Sequence, residues 1–284
     1  MDYLNGEPVG VDALKALALT NFGHFTTLRV DDGRVKGLSL HLDRLAADCR
    51  TVFDAALDRA RVRALLGQAV DGRTGSLAVR VTVFDPGLGL ARPGADAEPH
   101  LLVTCRPVGG PLAPLRVTTV VYQREMPEVK HVGLFGQLAI RRAAQRAGAD
   151  DALFVEPGTD VLSEGATWNV GFVDAQGHVV WPAARVLPGV TMRLLQTVHT
   201  WQRRPVPRAE LPQLRGVGPA PSSTACSGQA YRVVPGPLSL SIQRTATGAS
   251  LSLWHLMHSA MFTAGIGPVM PSRVTLLPPP AERA

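Results

Sequence analysis

Between residues 107 and 114 the chain reads Pro-Val-Gly-Gly-Pro-Leu-Ala-Pro. Proline lacks a backbone donor and clashes inside a helix, and glycine weakens helix and strand alike, so no regular element runs through this stretch. It separates residues 1–108 from residues 115–284, and apolar periodicity recurs on both sides. A 284-residue chain with 45% hydrophobic content can bury a core in each part.

In the first part, Leu28–Val30 and Val35–Leu38 flank Asp31-Asp32-Gly33-Arg34, which predicts a β-hairpin. Leu42, Leu45, Ala46 and Cys49 recur at i, i+3, i+4 and i+7, which predicts a helix over 41–49. A second helix is expected over 58–70, with strands over 77–84 and 101–105. The second part reads as a strand over 116–122, a helix over 137–147 capped by Gly148, and strands over 152–155, 168–173 and 178–181. A further helix opens at Thr191 and runs to Val198. Strands and helices mixed in both parts give an α/β (α+β) fold of two domains, a smaller one at 1–108 and a larger one at 115–284.

Charge excludes several classes of partner. The net charge is +6, but the only lysines are Lys15, Lys36 and Lys130, and the arginines are scattered without a basic run. Neither nucleic acid nor a lipid surface is expected as a partner. Cys49, Cys105 and Cys226 are far apart and form no metal-ligand spacing, so no metal is expected. An odd number of thiols, and a Met1-Asp2-Tyr3-Leu4-Asn5 start with neither basic nor apolar run, lead to a cytoplasmic expectation. From residue 216 onward the only charged residues are Arg232, Arg244, Arg273, Glu282 and Arg283, which makes 216–284 atypical of the chain. Ser, Thr and His together with Pro268 and Pro271 argue against a membrane span there.

Four places carry chemistry. Lys130, in Val129-Lys130-His131, is the only lysine after residue 36. A Schiff-base lysine needs a pKa lowered by burial or by neighbouring cations. Alone it reads as a surface lysine. Glu164 follows in Ser163-Glu164-Gly165-Ala166-Thr167-Trp168-Asn169, and a carboxylate there can keep a cofactor's pyridine nitrogen protonated. Leu187-Pro188-Gly189-Val190-Thr191 turns into a helix, whose first N–H groups suit a phosphate. Arg44, in His41-Leu42-Asp43-Arg44-Leu45, offers a bidentate fork for the same group.

Taken in order, these motifs and Gly23-His24-Phe25-Thr26-Thr27 resemble the class IV aminotransferases, the fold type IV pyridoxal-5′-phosphate enzymes. The resemblance spans residues 1 to about 215. It implies a homodimer of two-domain subunits with pyridoxal 5′-phosphate held between the domains. By the same resemblance Lys130 carries the cofactor and acts on the substrate's α-proton. Arg44 holds the phosphate with the backbone of Val190 and Thr191, and Glu164 pairs with the pyridine nitrogen. Gln229, before Val233-Val234-Pro235, stands where a further phosphate contact is expected. Phe25, Thr27, Tyr122, Arg124 and Trp168 are candidates for contact with the substrate, an amino acid or a 2-oxo acid. The chain departs from many transaminases by carrying Thr26 in place of a glutamate and Phe135 near where an aromatic hydroxyl is expected. The implied activity is amino transfer between an amino acid and a 2-oxo acid. The alternative is an aminodeoxychorismate lyase, which releases pyruvate and to which Phe25-Thr26-Thr27 and Lys130-His131 are similar. A non-catalytic relative that binds the same cofactor is the third reading.

Overall fold

The computed structural model describes residues 2–108, 115–218, 229–235 and 240–243, with side chains as far as Leu214. The chain divides into two compact units. The first takes Met1–Gly110 together with Val129–Leu134, and the second takes Pro111–Glu128 and the chain from Phe135.

The first unit is built on a six-stranded sheet. Its strands are β1 (Tyr3–Leu4), β2 (Glu7–Pro8), β3 (His24–Asp31), β4 (Arg34–Val35), β5 (Ser76–Phe84) and β6 (His100–Pro107). They lie in the order β2-β1-β6-β5-β3-β4. The expected hairpin is present, with Val30 opposite Val35 and Asp31 opposite Arg34. Alternation sorts the sheet into two faces. Leu28, Val30, Val79, Val81, Val83, Leu101 and Val103 pack against Leu42, Leu45 and Cys49 of helix α2 and Val62 and Leu66 of helix α3. The helices are α1 (Val11–Thr20), α2 (Leu38–Phe53) and α3 (Arg59–Val70). Phe25, Thr27, Arg80 and Thr82 lie on the opposite face, because Phe25 is in register with Thr82 and Thr27 with Arg80. The 41–49 pattern proves to be the centre of a longer helix that starts at Leu38 and ends where Asp54 turns left-handed. Helix α1 was not expected, since its apolar residues fall on every side and none is buried.

The second unit holds a nine-stranded sheet in the order β12-β11-β10-β13-β14-β15-β7-β8-β9. These are β7 (Val117–Val121), β8 (Asp151–Val155), β9 (Leu162–Gly165), β10 (Gly171–Val173), β11 (Val179–Pro182), β12 (Trp201–Arg204), β13 (Arg215–Gly218), β14 (Gln229–Pro235) and β15 (Leu240–Gln243). Helices α4 (Phe135–Arg146) and α5 (Val190–Val198) accompany them. Strand β8 is buried along its whole length, as its unbroken Ala-Leu-Phe-Val run requires. The strand expected over 168–173 begins only at Gly171. Before it the Gly165 N–H donates to the Trp168 carbonyl at 2.8 Å, so Trp168 and Asn169 belong to a tight turn. Residues 109–114 of the expected linker and residues 219–228, 236–239 and 244–284 of the atypical tail lie outside the described residues. No helix among the described residues is long and apolar enough to cross a membrane.

Two histidines of the first unit are buried. His24 is fully enclosed, and His41 is nearly so. Burial first, and the Arg44 guanidinium second, push both imidazoles from 6.5 to about 3. Burial moves His199 of the second unit in the same direction. The unfolded chain therefore binds protons below about 6.5 that the folded chain refuses down to about 3, and acid favours unfolding across that window. His24 and His41 together give a slope of at most about 2.7 kcal/mol per pH unit. The thermal midpoint should fall by several degrees between pH 7.5 and pH 5, before the carboxylates titrate. A midpoint that stays level would mean the two imidazoles are already charged in the fold.

Candidate active site

The segment bearing Lys130 is stitched to β3 as a short extra strand. The Phe25 N–H donates to the Lys130 carbonyl and the Val132 N–H to the Gly23 carbonyl, both at 2.9 Å. His24 and His131 form the bridge between them. From α2, Asp48 Oδ2 accepts the Lys130 N–H at 3.2 Å. Gly23 also lies close against β5, where a Cβ would stand 2.5 Å from the Val83 carbonyl oxygen. So Lys130, which follows the linker in sequence, is positioned by the first unit. Its Nζ lies 4.8 Å from the centre of the Phe25 ring. Arg80 covers the same ring, with Cζ at 3.6 Å.

Beside this strand, His41, Arg44 and Asp48 project from one side of α2 at helical spacing, all buried. Arg44 Nη2 donates to Thr26 Oγ1 at 2.6 Å, and Thr26 Oγ1 lies 2.7 Å from His41 Nδ1. With His41 neutral, the hydroxyl can accept from Arg44 and donate to the imidazole. Thr26, which stands where many transaminases have a glutamate, here anchors the guanidinium. A carboxylate at that point would neutralise Arg44. Thr27 is half-buried on the other face of β3.

In the second unit, β9 carries Glu164, whose side chain is 5% exposed. Arg124 Nε donates to Glu164 Oε1 at 2.7 Å, and Arg124 is equally buried. Arg124 Nη2 also donates to the Pro127 carbonyl. The backbone N–H of Leu187 donates to Glu164 Oε2 at 3.1 Å. That bond ties the carboxylate to the Leu187-Pro188-Gly189 turn from which α5 starts. Asn169 Nδ2 donates to the Leu187 carbonyl at 2.8 Å, and a Cβ on Gly189 would lie 2.0 Å from Asn169 Oδ1. Glycine is therefore required at 189. The first turn of α5, with Val190 and Thr191, has no side-chain cap.

The remaining candidates are more structural in their surroundings. Trp168 Nε1 donates to Asp151 Oδ2 at 2.8 Å, and the indole lies flat over Gly165, where a Cβ would be 2.0 Å away. Tyr122 packs edge-on against Phe154 at 4.9 Å, and burial raises its hydroxyl pKa. Arg124 serves Glu164, as described above. Phe135 is 85% exposed at the start of α4. Gln229 starts β14, and its side chain lies outside the described residues. Among the described residues no group of His, Cys, Asp or Glu is arranged to hold a metal. Sequence reading passed over Asp48, His41 and Arg80. The alternation Val79-Arg80-Val81-Thr82-Val83 was a signal for Arg80, since it places a guanidinium opposite the packed face.

The model of the amino-transferase class IV family matches residues 23–217. No curated protein sequence matches the chain. Among solved structures, the chain is similar to a hypothetical aminotransferase from Mycobacterium tuberculosis, with 21% identity and a TM-score of 0.73, covering 93% of this chain and 99% of that one. It is also similar to 4-amino-4-deoxychorismate lyase from Pseudomonas aeruginosa, with 23% identity, a TM-score of 0.69 and coverage of 91% and 98%. The branched-chain amino acid aminotransferase from Escherichia coli shares 17% identity at a TM-score of 0.67, covering 78% and 82%. These identities speak for the fold, and the family match spans well over half of the residues. The chain belongs to the class IV aminotransferases, a family of pyridoxal-5′-phosphate enzymes.

Proposed function

We propose that the protein is an aminotransferase that moves an amino group between an amino acid and a 2-oxo acid. The observation that carries this reading is, in the second unit, a buried, hydrogen-bonded glutamate tied to an uncapped helix start, and the first unit by itself offers a lysine fixed by backbone bonds to β3. These residues fit a phosphorylated pyridine cofactor. The first turn of α5, which no side chain caps, suits a phosphate oxygen at the Val190 and Thr191 amides. Arg44 supplies a guanidinium held in orientation by Thr26. Glu164 uses one oxygen for Arg124 and the other for Leu187, and a carboxylate has lone pairs enough to accept a pyridinium N–H as well.

When bound, pyridoxal phosphate supplies an electron sink for the pair left on the substrate's α-carbon. Lys130 Nζ would hold the cofactor, and as a free amine it would take the substrate's α-proton as general base. In amino transfer the same amine would also return a proton. Glu164 keeps the pyridine nitrogen protonated, and Arg124 keeps Glu164 ionised by standing against it in a buried pair. The lyase reading is favoured by the likeness to the Pseudomonas aeruginosa lyase and by Thr26-Thr27 and Lys130-His131. There the proton removed by Lys130 would be followed by loss of pyruvate, and no 2-oxo acid acceptor would be consumed.

We place the protein in the cytoplasm on its widely spaced cysteines, of which Cys49 and Cys105 are free thiols. A homodimer is supported by α1, which exposes Val11 at 67% and Leu19 at 77%. Light scattering should give twice the mass of one chain, and a fully active monomer would remove this assignment.

A screen of amino donors with pyruvate and 2-oxoglutarate as acceptors, and with aminodeoxychorismate alone, decides the reaction. Acceptor-dependent formation of a 2-oxo acid supports amino transfer, whereas acceptor-free pyruvate release supports the lyase. Lys130→Ala should abolish turnover, and borohydride should no longer fix the cofactor to the chain. Turnover retained in that variant would defeat the assignment.

Glu164→Gln should bind the cofactor but turn over about a hundredfold more slowly, a loss on the order of 3 kcal/mol. A neutral amide cannot hold the pyridinium proton. The substitution also leaves Arg124 without its carboxylate, so circular dichroism must first establish that the variant is folded. With saturating cofactor, a change below about threefold would sink the role of Glu164.

A further inference from the structure

The turn that follows Glu164 is held from outside at each of three successive residues. Gln137 Nε2 donates to the Ala166 carbonyl at 2.9 Å. Arg141, one helical turn further along α4, donates from Nη2 to Thr167 Oγ1 at 2.9 Å. Trp168 Nε1 donates to Asp151 Oδ2 at 2.8 Å. Asp151 opens β8, is 2% exposed, and also accepts from Arg141 Nε at 3.0 Å and from Arg141 Nη2. The Ala152 N–H donates to its Oδ1 at 2.8 Å. A carboxylate offers about four lone-pair sites. These four donors take them up, so Asp151 is occupied by the chain itself rather than by a ligand.

The strand that enters this turn carries a β-bulge. Leu153 pairs with Gly165, but Val155 pairs with Leu162, so Ser163 and Glu164 together oppose Phe154. An extra residue re-aims the side chains around it, and a slip of one residue sends a strand's side chains to the opposite face. The direction of Glu164 therefore depends on where along β9 the bulge is held. In the register present here its carboxylate meets Arg124 Nε and the Leu187 N–H. Gly165 closes the bulge, bonds to the Trp168 carbonyl and lies under the indole that Asp151 holds. We propose that Asp151, with Arg141, is a positioning residue for Glu164: it clamps the turn over 166–168, and the turn fixes the bulge that aims the carboxylate. Given the aminotransferase reading, this clamp is what presents Glu164 to the pyridine nitrogen of the cofactor. All the residues of the clamp belong to the second unit.

Hydrogen exchange in the cofactor-free, full-length protein reads the place of the carboxylate at the Leu187 amide that donates to it. Glu164→Ala gives the exchange rate of that amide without its acceptor. Asp151→Asn keeps the shape of the side chain and removes the charge that meets Arg141. It should move the Leu187 rate toward that of Glu164→Ala, by at least about tenfold over wild type, while the amides of β11 keep their protection. In the loaded enzyme Asp151→Asn should lower kcat by about tenfold to a hundredfold, as a small misplacement of a reacting group does. In the Glu164→Gln background the same change should lower kcat by less than about twofold, because a residue that acts through Glu164 has nothing left to aim. Trp168→Phe keeps a ring over Gly165 and removes only the indole donor, so it carries the same comparison if circular dichroism finds Asp151→Asn unfolded. Unchanged Leu187 exchange in a folded variant, or an equal fall of kcat in both backgrounds, overturns the proposal. Faster Leu187 exchange in a protein that takes up no pyridoxal phosphate would instead overturn the aminotransferase reading and leave the positioning of Glu164 standing.

Discussion

Two backbone hydrogen bonds, from Phe25 N–H to the Lys130 carbonyl and from Val132 N–H to the Gly23 carbonyl, underlie the first half of the candidate site. They oblige the chain to return to the first unit after it has entered the second. They set Lys130 in register with β3, so that its amine lies over Phe25. Gly23, whose carbonyl takes one of these bonds, also sits too close to the Val83 carbonyl for a side chain. Asp48 fixes the same peptide from the helix side. A flexible four-carbon side chain is thus mounted on backbone that is held at three points, and rigid mounting is what proton transfer at a defined atom requires.

The second unit handles charge differently. Glu164 and Arg124 are both removed from water, which each alone could not sustain. Paired, each supplies the other's counter-charge, and the Leu187 N–H fixes the second oxygen of the carboxylate. That same turn delivers the start of α5, so one loop ties the acid to the uncapped first turn of the helix. The closeness of Asn169 to Gly189 shows how little space separates the two strands of this arrangement. The Ser163-to-Asn169 and Leu187-to-Thr191 motifs are separate in sequence, but each holds the other in shape through the Asn169–Leu187 bond.

Much of the fold was legible because periodicity is a direct imprint of burial. Val79, Val81 and Val83 alternate, and all three are fully enclosed. Leu42, Leu45 and Cys49 recur at helical spacing and meet the sheet. Helix α1 was not legible, since an apolar segment with no polar side carries no phase to read. The turn at Trp168 was hidden by β-favouring residues whose conformation is decided by Gly165 and the indole lying across it. In the candidate site, residue types were legible and their partners were not. Arg124 lies 40 residues before Glu164, and nothing local announces that pairing. The attachment of Lys130 to the first unit depends on bonds across more than 100 residues, which no window of sequence contains.

Thr26 and Arg80 show how one sheet orients a cation on each of its two faces. Neighbouring positions on a strand point to opposite faces. Thr26 therefore faces α2 and orients Arg44, while Phe25 and Thr27 face the other way with Arg80 and Lys130. The cation on the packed face is held by hydroxyl and helix, and the cation on the open face by a hydroxyl and an aromatic ring. Neither is given a carboxylate at these contacts. A glutamate at position 26 would quench Arg44, and an acid beside Thr82 would quench Arg80. A guanidinium that a neutral hydroxyl orients in advance meets an anionic ligand with less reorganisation than one that must first be turned.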